Sequence, residues 1–196
     1  MNDQRKVIYE QRRELMATQD IDDVIASMRE DCIQNMIYSI APDKSAPEDW
    51  DAKLLREETI KLLDLDIPFE SWIKEPGMTP ETMIERLAKQ AEKAVQEKMK
   101  ILPPEIQTEI KRNIVIQSID QNWKEHLQML DFLKGSIGLR AYGQQNPLNA
   151  YKQEAFKLFE GLLYRVRERV TKLLAYAEFQ LKPKEPSSAP NKPQEE

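Results

Sequence analysis

His126 is the only histidine of the 196-residue chain and Cys32 its only cysteine. These are the two side chains best suited to nucleophilic or metal chemistry near neutral pH. They lie 94 positions apart and neither stands in a recognisable motif. There is no His-Glu-x-x-His or Glu-x-x-His metal repeat and no glycine-rich phosphate loop. His126 falls between Trp123 and Leu130 on a three-four apolar repeat, so the sequence predicts a seam histidine whose ring nitrogens are satisfied by neighbours. An enzyme centred on His126 is the rival reading, and no other residue supports it. Glu125 and Asp131 read as surface acids, and Trp50 and Trp72 as core anchors. The methionines are scattered, which favours gap filling over a dedicated groove.

Tyr142 is different. It stands in a glycine-containing loop beside Arg140 and Gly143, away from any apolar stripe. A tyrosine offers a large contact area, few rotatable bonds and one polar handle, so an exposed one can grip many partner sequences weakly. The alternative is a ring that packs back on its own helices.

Two long amphipathic helices are expected to carry these residues. In the first arm, Ile116, Ile119, Trp123, His126, Leu130, Leu133 and Ile137 recur at alternating spacings of three and four. In the second, Phe156, Phe159, Leu163, Val166, Val170, Leu173 and Ala177 do the same. Two such stripes bury each other as an antiparallel pair. The connection between them holds three of the chain's five glycines and ends at Pro147, suited to a first helical turn. The expectation is a helical finger over residues 105–181 with a loop at its tip.

The rest of the chain also reads as helix. Apolar residues make up 40% and charged residues 32% of a glycine-poor sequence, and no alternating strand pattern stands out, so the expected fold class is all-α. Asn2 to Met16 forms a first helix with no clear cap, as if it continued a longer one. Asp20 is placed to cap a second over Ile21 to Ile40. Ser45 and Glu48 have the spacing of a capping box for a third helix through Trp50 to Leu63. Thr79 and Pro80 open a fourth, which Pro103-Pro104 ends. Residues 182–196 are polar and proline-rich and read as a tail.

The net charge of −5 is concentrated before residue 105, whereas the tip region from Phe132 to Gln153 holds Lys134, Arg140 and Lys152 and no acid. That suits a negative or neutral partner surface, but it is not the basic, aromatic-laced stripe expected for nucleic acid. A single cysteine fits a reducing compartment, and the lack of an 18-residue apolar run or leader pattern suggests a soluble, unexported protein.

Several stretches then carry a family resemblance: Asn2-Asp3-Gln4-Arg5-Lys6-Val7-Ile8-Tyr9, Asp120-x-x-Trp123-Lys124-Glu125-His126-Leu127, Gly135-x-Ile137-x-Leu139-Arg140-x-Tyr142, Gln144-x-x-Pro147 and Tyr151-Lys152-x-Glu154-x-Phe156-x-x-Phe159. Together they resemble the C-terminal part of the SecA family, the motor ATPases of bacterial preprotein translocation. The resemblance runs from Asn2 to about Gln180. It implies the end of a long scaffold helix at residues 1–18, a helical wing domain at 19–104, the two-helix finger of the scaffold at 105–181 and a linker at 182–196. It also implies that Tyr142, with Arg140 and Leu139, contacts the translocating chain at the SecY channel, and that the finger restrains ATP hydrolysis. The seam of the finger would be packed by Trp123, His126, Leu130, Phe156, Phe159 and Leu163. Implied partners are the SecY channel, the preprotein, the nucleotide-binding domains of the same chain and a second copy in a homodimer, at the cytoplasmic side of the inner membrane. No cofactor is expected in this stretch; ATP with magnesium and a C-terminal zinc site belong to the parent protein. Ala141 and Asn149 depart from common family residues, glycine and an acid, which touches the loop conformation. A free-standing helical module that binds unfolded polypeptide is the alternative.

Overall fold

The computed structural model describes residues 2–18, 20–140 and 147–179, without the side chains of 137–140 and 147. Among the described residues the regular structure is entirely helical: α1 Asn2–Ala17, α2 Ile21–Ile40, a 3-10 turn Pro47–Asp49, α3 Ala52–Leu63, α4 Phe69–Trp72, α5 Pro80–Met99, α6 Pro104–Arg140 and α7 Pro147–Ala175.

The helix boundaries follow local chemistry. Thr79 accepts from the Thr82 N–H at 3.2 Å and Pro80 occupies the first turn of α5. Gly77 takes φ +79°, a left-handed turn that a side chain would strain. The start of α3 differs from expectation. Pro47–Asp49 form a 3-10 turn and Trp50 is extended, so the helix begins only at Ala52, capped by Asp51 through the Leu54 N–H at 2.9 Å. Ser45 does not cap; its hydroxyl accepts from the Trp50 indole at 2.6 Å and donates to the Pro42 carbonyl at 2.6 Å. That bond ties the indole to the preceding loop and satisfies its one donor, while the ring enters the core.

Two large cores result. The first gathers α3, α4, the second half of α2 and the first half of α5 around Phe69, Leu55, Ile33, Met83 and Leu87, with Trp50 and Trp72 also buried. Phe69 meets Trp72 edge-on at 5.4 Å. The Arg86 guanidinium covers the other ring 4.8 Å away while holding Glu75 through two bonds of 2.9 and 2.8 Å. The second core joins α1, α6 and α7 to the opposite ends of the same two helices, Ile21 and Ile25 of α2 and Val95 and Met99 of α5. A third, small cluster of Leu130, Leu133 and Ala155 holds the far part of α6 and α7.

At 37 residues α6 is about 55 Å long. It packs along α7 as the most extensive helix pair of the molecule. α7 stops at Ala175, so Ala177 lies beyond it rather than on its stripe. The Lys98 ammonium, which also pairs with Asp64 at 3.0 Å, donates to the Ala175 carbonyl, placing a cation at the negative end of the helix. Tyr176 then bonds the Ile60 carbonyl at 2.5 Å, anchoring the end of α7 on α3.

The second arm of the finger keeps the expected stripe at Val166 and Val170, but burial falls one residue earlier toward the tip, at Ala155 and Leu162, and one residue later toward the base, at Leu174. Phe156 is 59% exposed and Leu173 42%, while Ala155, Leu162, Val166, Val170 and Leu174 are buried. Leu162→Ala should therefore cost about 2–5 kcal/mol, and Phe156→Ala should stay within about 0.5 kcal/mol of the parent, both read from urea unfolding midpoints.

Candidate functional site

The sequence points to the finger and its tip, and the structure builds that site upward from a joint of three helices. His126 is fully buried on α6. Its ring lies against Trp123 at 5.4 Å and Phe159 of α7 at 5.8 Å. Among the described residues the only hydrogen-bond partner of the imidazole is Gln4 of α1, whose Oε1 sits 3.0 Å from Nε2. The same amide donates through Nε2 to the Ala155 carbonyl of α7 at 3.0 Å. Because the amide nitrogen is committed as donor, Oε1 is the acceptor and His126 must donate. The proton therefore rests on Nε2, and Nδ1 is a buried lone pair without a partner among the described residues. One glutamine thus links all three helices, and the expected seam histidine has one nitrogen satisfied, not both.

Two further contacts fasten α1 to α6. Arg12 forks onto Asp120 at 2.9 and 3.1 Å, and Arg112 donates to the Thr18 carbonyl at 2.8 Å. Within α6, buried Ser118 and Asn122 donate back to the Ile114 and Ser118 carbonyls at 2.7 and 2.8 Å.

Burial lowers the pKa of His126, and the nearby Arg165 guanidinium lowers it further. The ring is therefore neutral around pH 7. As Nδ1 is buried with no acceptor, a second proton would be an uncompensated charge.

Of the other predicted site residues, Leu130 is buried in the seam, and Trp123, Phe159 and Leu163 are half-buried against the scaffold core. Phe156 is not in the seam; small Ala155 takes that place and brings its carbonyl to Gln4. Leu139 and Arg140 form the last turn of α6, with side chains outside the described residues. Tyr142 also lies outside them. Gln4, Ala155 and Leu162 were missed by sequence reasoning. Gln4 shares a helical face with Ile8, Gln11 and Leu15, and a polar residue on that face was the available signal.

Beyond the joint the finger carries an open apolar surface. Phe132 is 79% exposed and Met129 37%. They border a recess of about 500 Å³ with Leu133 and Leu158, edged by Glu125 and Glu154. The described residues contain no group of three or more His, Cys, Asp or Glu that could hold a metal ion, and no helix long and apolar enough to cross a membrane. Cys32 is buried, which pushes its thiol up to about 11 and leaves it a poor nucleophile at neutral pH.

A folded-state pKa below the unfolded value of about 6.5 means that the unfolded chain takes up the proton first. This contribution to stability is intact above pH 7 and is lost as pH falls through that value toward the lower folded one. His126→Gln removes the titration, so the stability difference between parent and variant should narrow between pH 7 and pH 5 in denaturant titrations.

The SecA wing and scaffold domain family matches residues 1–178. Among curated relatives, the chain is 46% identical over 174 residues to the protein translocase subunit SecA of Gluconobacter oxydans, covering 89% of this chain and 19% of the relative. It is 42% identical over 183 residues to that of Caulobacter vibrioides, covering 91% and 20%, and 42% identical over 177 residues to that of Afipia carboxidovorans, covering 90% and 19%. The chain spans about one fifth of the length of these relatives. With this match, the buried three-helix joint and the long α6–α7 finger fall in one frame: the chain belongs to the SecA wing and scaffold domain family.

Proposed function

We propose that this chain is the wing and scaffold part of a preprotein translocase motor, and that its finger carries movement from the rest of the motor to a polypeptide at the mouth of the SecY channel. The observation that carries this reading is the build of the finger. A 37-residue helix and a 29-residue helix run back along each other from a braced base. The short connection from Arg140 to Pro147 holds Tyr142. A helix pair of this length works as a strut, because bending it would break packing along the whole seam.

In this reading Tyr142 grips the moving chain, with Arg140 and Leu139 beside it. The exposed face at Phe132 and Met129 meets a channel or motor surface. α1 brings movement in, since it is fixed to α6 at three levels and carries few buried residues of its own. ATP hydrolysis belongs to nucleotide-binding domains of the same parent protein, and a C-terminal zinc site to its far end. In this reading this chain holds neither ligand, and no step in it runs through either one. The working place is the cytoplasmic face of the inner membrane, with the channel, the preprotein and those domains as partners.

The test is cross-linking in the full-length protein carrying one cysteine in place of Tyr142, with a preprotein trapped midway. Cys32 is shielded by burial and should not compete. ATP-dependent adducts to the preprotein are expected. Adducts to the channel alone would contradict a substrate-handling tip. Tyr142→Ala should lower translocation severalfold more than basal ATPase; equal loss of both would point to a structural role.

A further inference from the structure

α1 stands off from part of what it covers. Its close packing is with α6, where the bonds of Gln4, Arg12 and Thr18 hold it at the edge. Between these fastenings, Ile8 and Leu15 face Val24 and Met28 of α2 and Leu163 and Val166 of α7 across a cavity of about 360 Å³. A dry cavity of about 150 Å³ already holds benzene, and ligand sites begin at about 300 Å³. The space fits a two-ring apolar body.

The mouth has a definite charge. Gln11, Glu14 and Thr18 line it from α1, and Arg167 from α7. Arg167 is already matched by Asp31, Nε to carboxylate at 3.2 Å. The Glu14 and Gln11 side chains have no bonding partner among the described residues. Glu14 is therefore the one unmatched charge among the residues lining the opening. We propose that this cavity is a binding site for a small amphipathic amine, its apolar body between α1, α2 and α7 and its ammonium at the mouth beside Glu14. A ligand seated there would brace α1 against α2 and α7, where protein contacts are sparse.

The full-length protein with isotope-labelled methionine methyl groups provides the test, the Met28 resonance being assigned through Met28→Leu. The probes are 2-naphthylmethylamine, 2-naphthalenemethanol and 2-naphthoate. A saturable shift of Met28 is expected, with the amine about fivefold tighter than the alcohol, the upper range for one exposed ion pair, and the carboxylate weakest. Glu14→Gln should erase the advantage of the amine, and Val24→Phe, which fills the cavity, should abolish binding of all three. Leu163→Phe serves the same purpose from the opposite wall if Val24→Phe fails to fold. No shift at millimolar probe, which would mean that another part of the full-length chain occupies the space, overturns the proposal. So does a shift that survives the filling variants, or equal affinity for all three probes.

Discussion

The packing of α6 on α7 is the constraint on which the rest depends. It buries Val115, Ile119, Leu130 and Leu133 against Ala155, Leu162, Val166 and Val170. The seam contains one imidazole, and the peptide carbonyl of Ala155 lies beside it. An apolar seam alone would specify that two helices pair, but not where a third must cross. The buried polar pair does that, because a histidine nitrogen and a carbonyl in the interior are costly unless a partner arrives in the right place. Gln4 is that partner. Its amide has one donor side and one acceptor side, and the two helices supply the complementary groups. Satisfying both fixes the position of α1 along the finger and the tautomer of His126 together.

From this joint the molecule divides mechanically. Toward the base, α2 and α5 each give one end to the scaffold core and the other to the core around Phe69, so the two cores share rigid helices rather than a flexible linker. Lys98 and Tyr176 close the base by holding the end of α7. Away from the base, apart from the Gln4 bond to Ala155, the described residues of α6 and α7 pack on each other through the small cluster at Leu130, Leu133 and Ala155. An aromatic ring as open as Phe132 on that free length costs nothing in folding, but it leaves apolar area for a partner to cover.

Much of this was legible in the sequence. The helices of the finger announced themselves through long three-four repeats and the proline that opens each, and α2 and α5 through their apolar faces, with Thr79 and Pro80 marking where α5 begins. The middle of the α7 stripe, Val166 and Val170, was legible, but its tip end was not, because Phe156 outranks Ala155 in hydrophobicity. The seam wants a small residue where two backbones approach, and that preference belongs to the pair of helices rather than to either one. The cap of α3 was missed for a related reason. Ser45 and Glu48 have capping spacing, but Pro47 and the burial of Trp50 impose a 3-10 turn first, and Asp51 is left to cap. The Gln4 joint could not be read at all, since it joins residues more than 120 positions apart through a contact that only the folded packing creates.

The central claim, that α1 is locked to the finger through His126, rests on a single protonation state. Long-range nitrogen–proton NMR of the His126 ring reads it directly. The account predicts a protonated Nε2 and a bare Nδ1 at pH 7 and above. An Nδ1-protonated tautomer, or an imidazolium pattern dominant at pH 7, would contradict the joint as described.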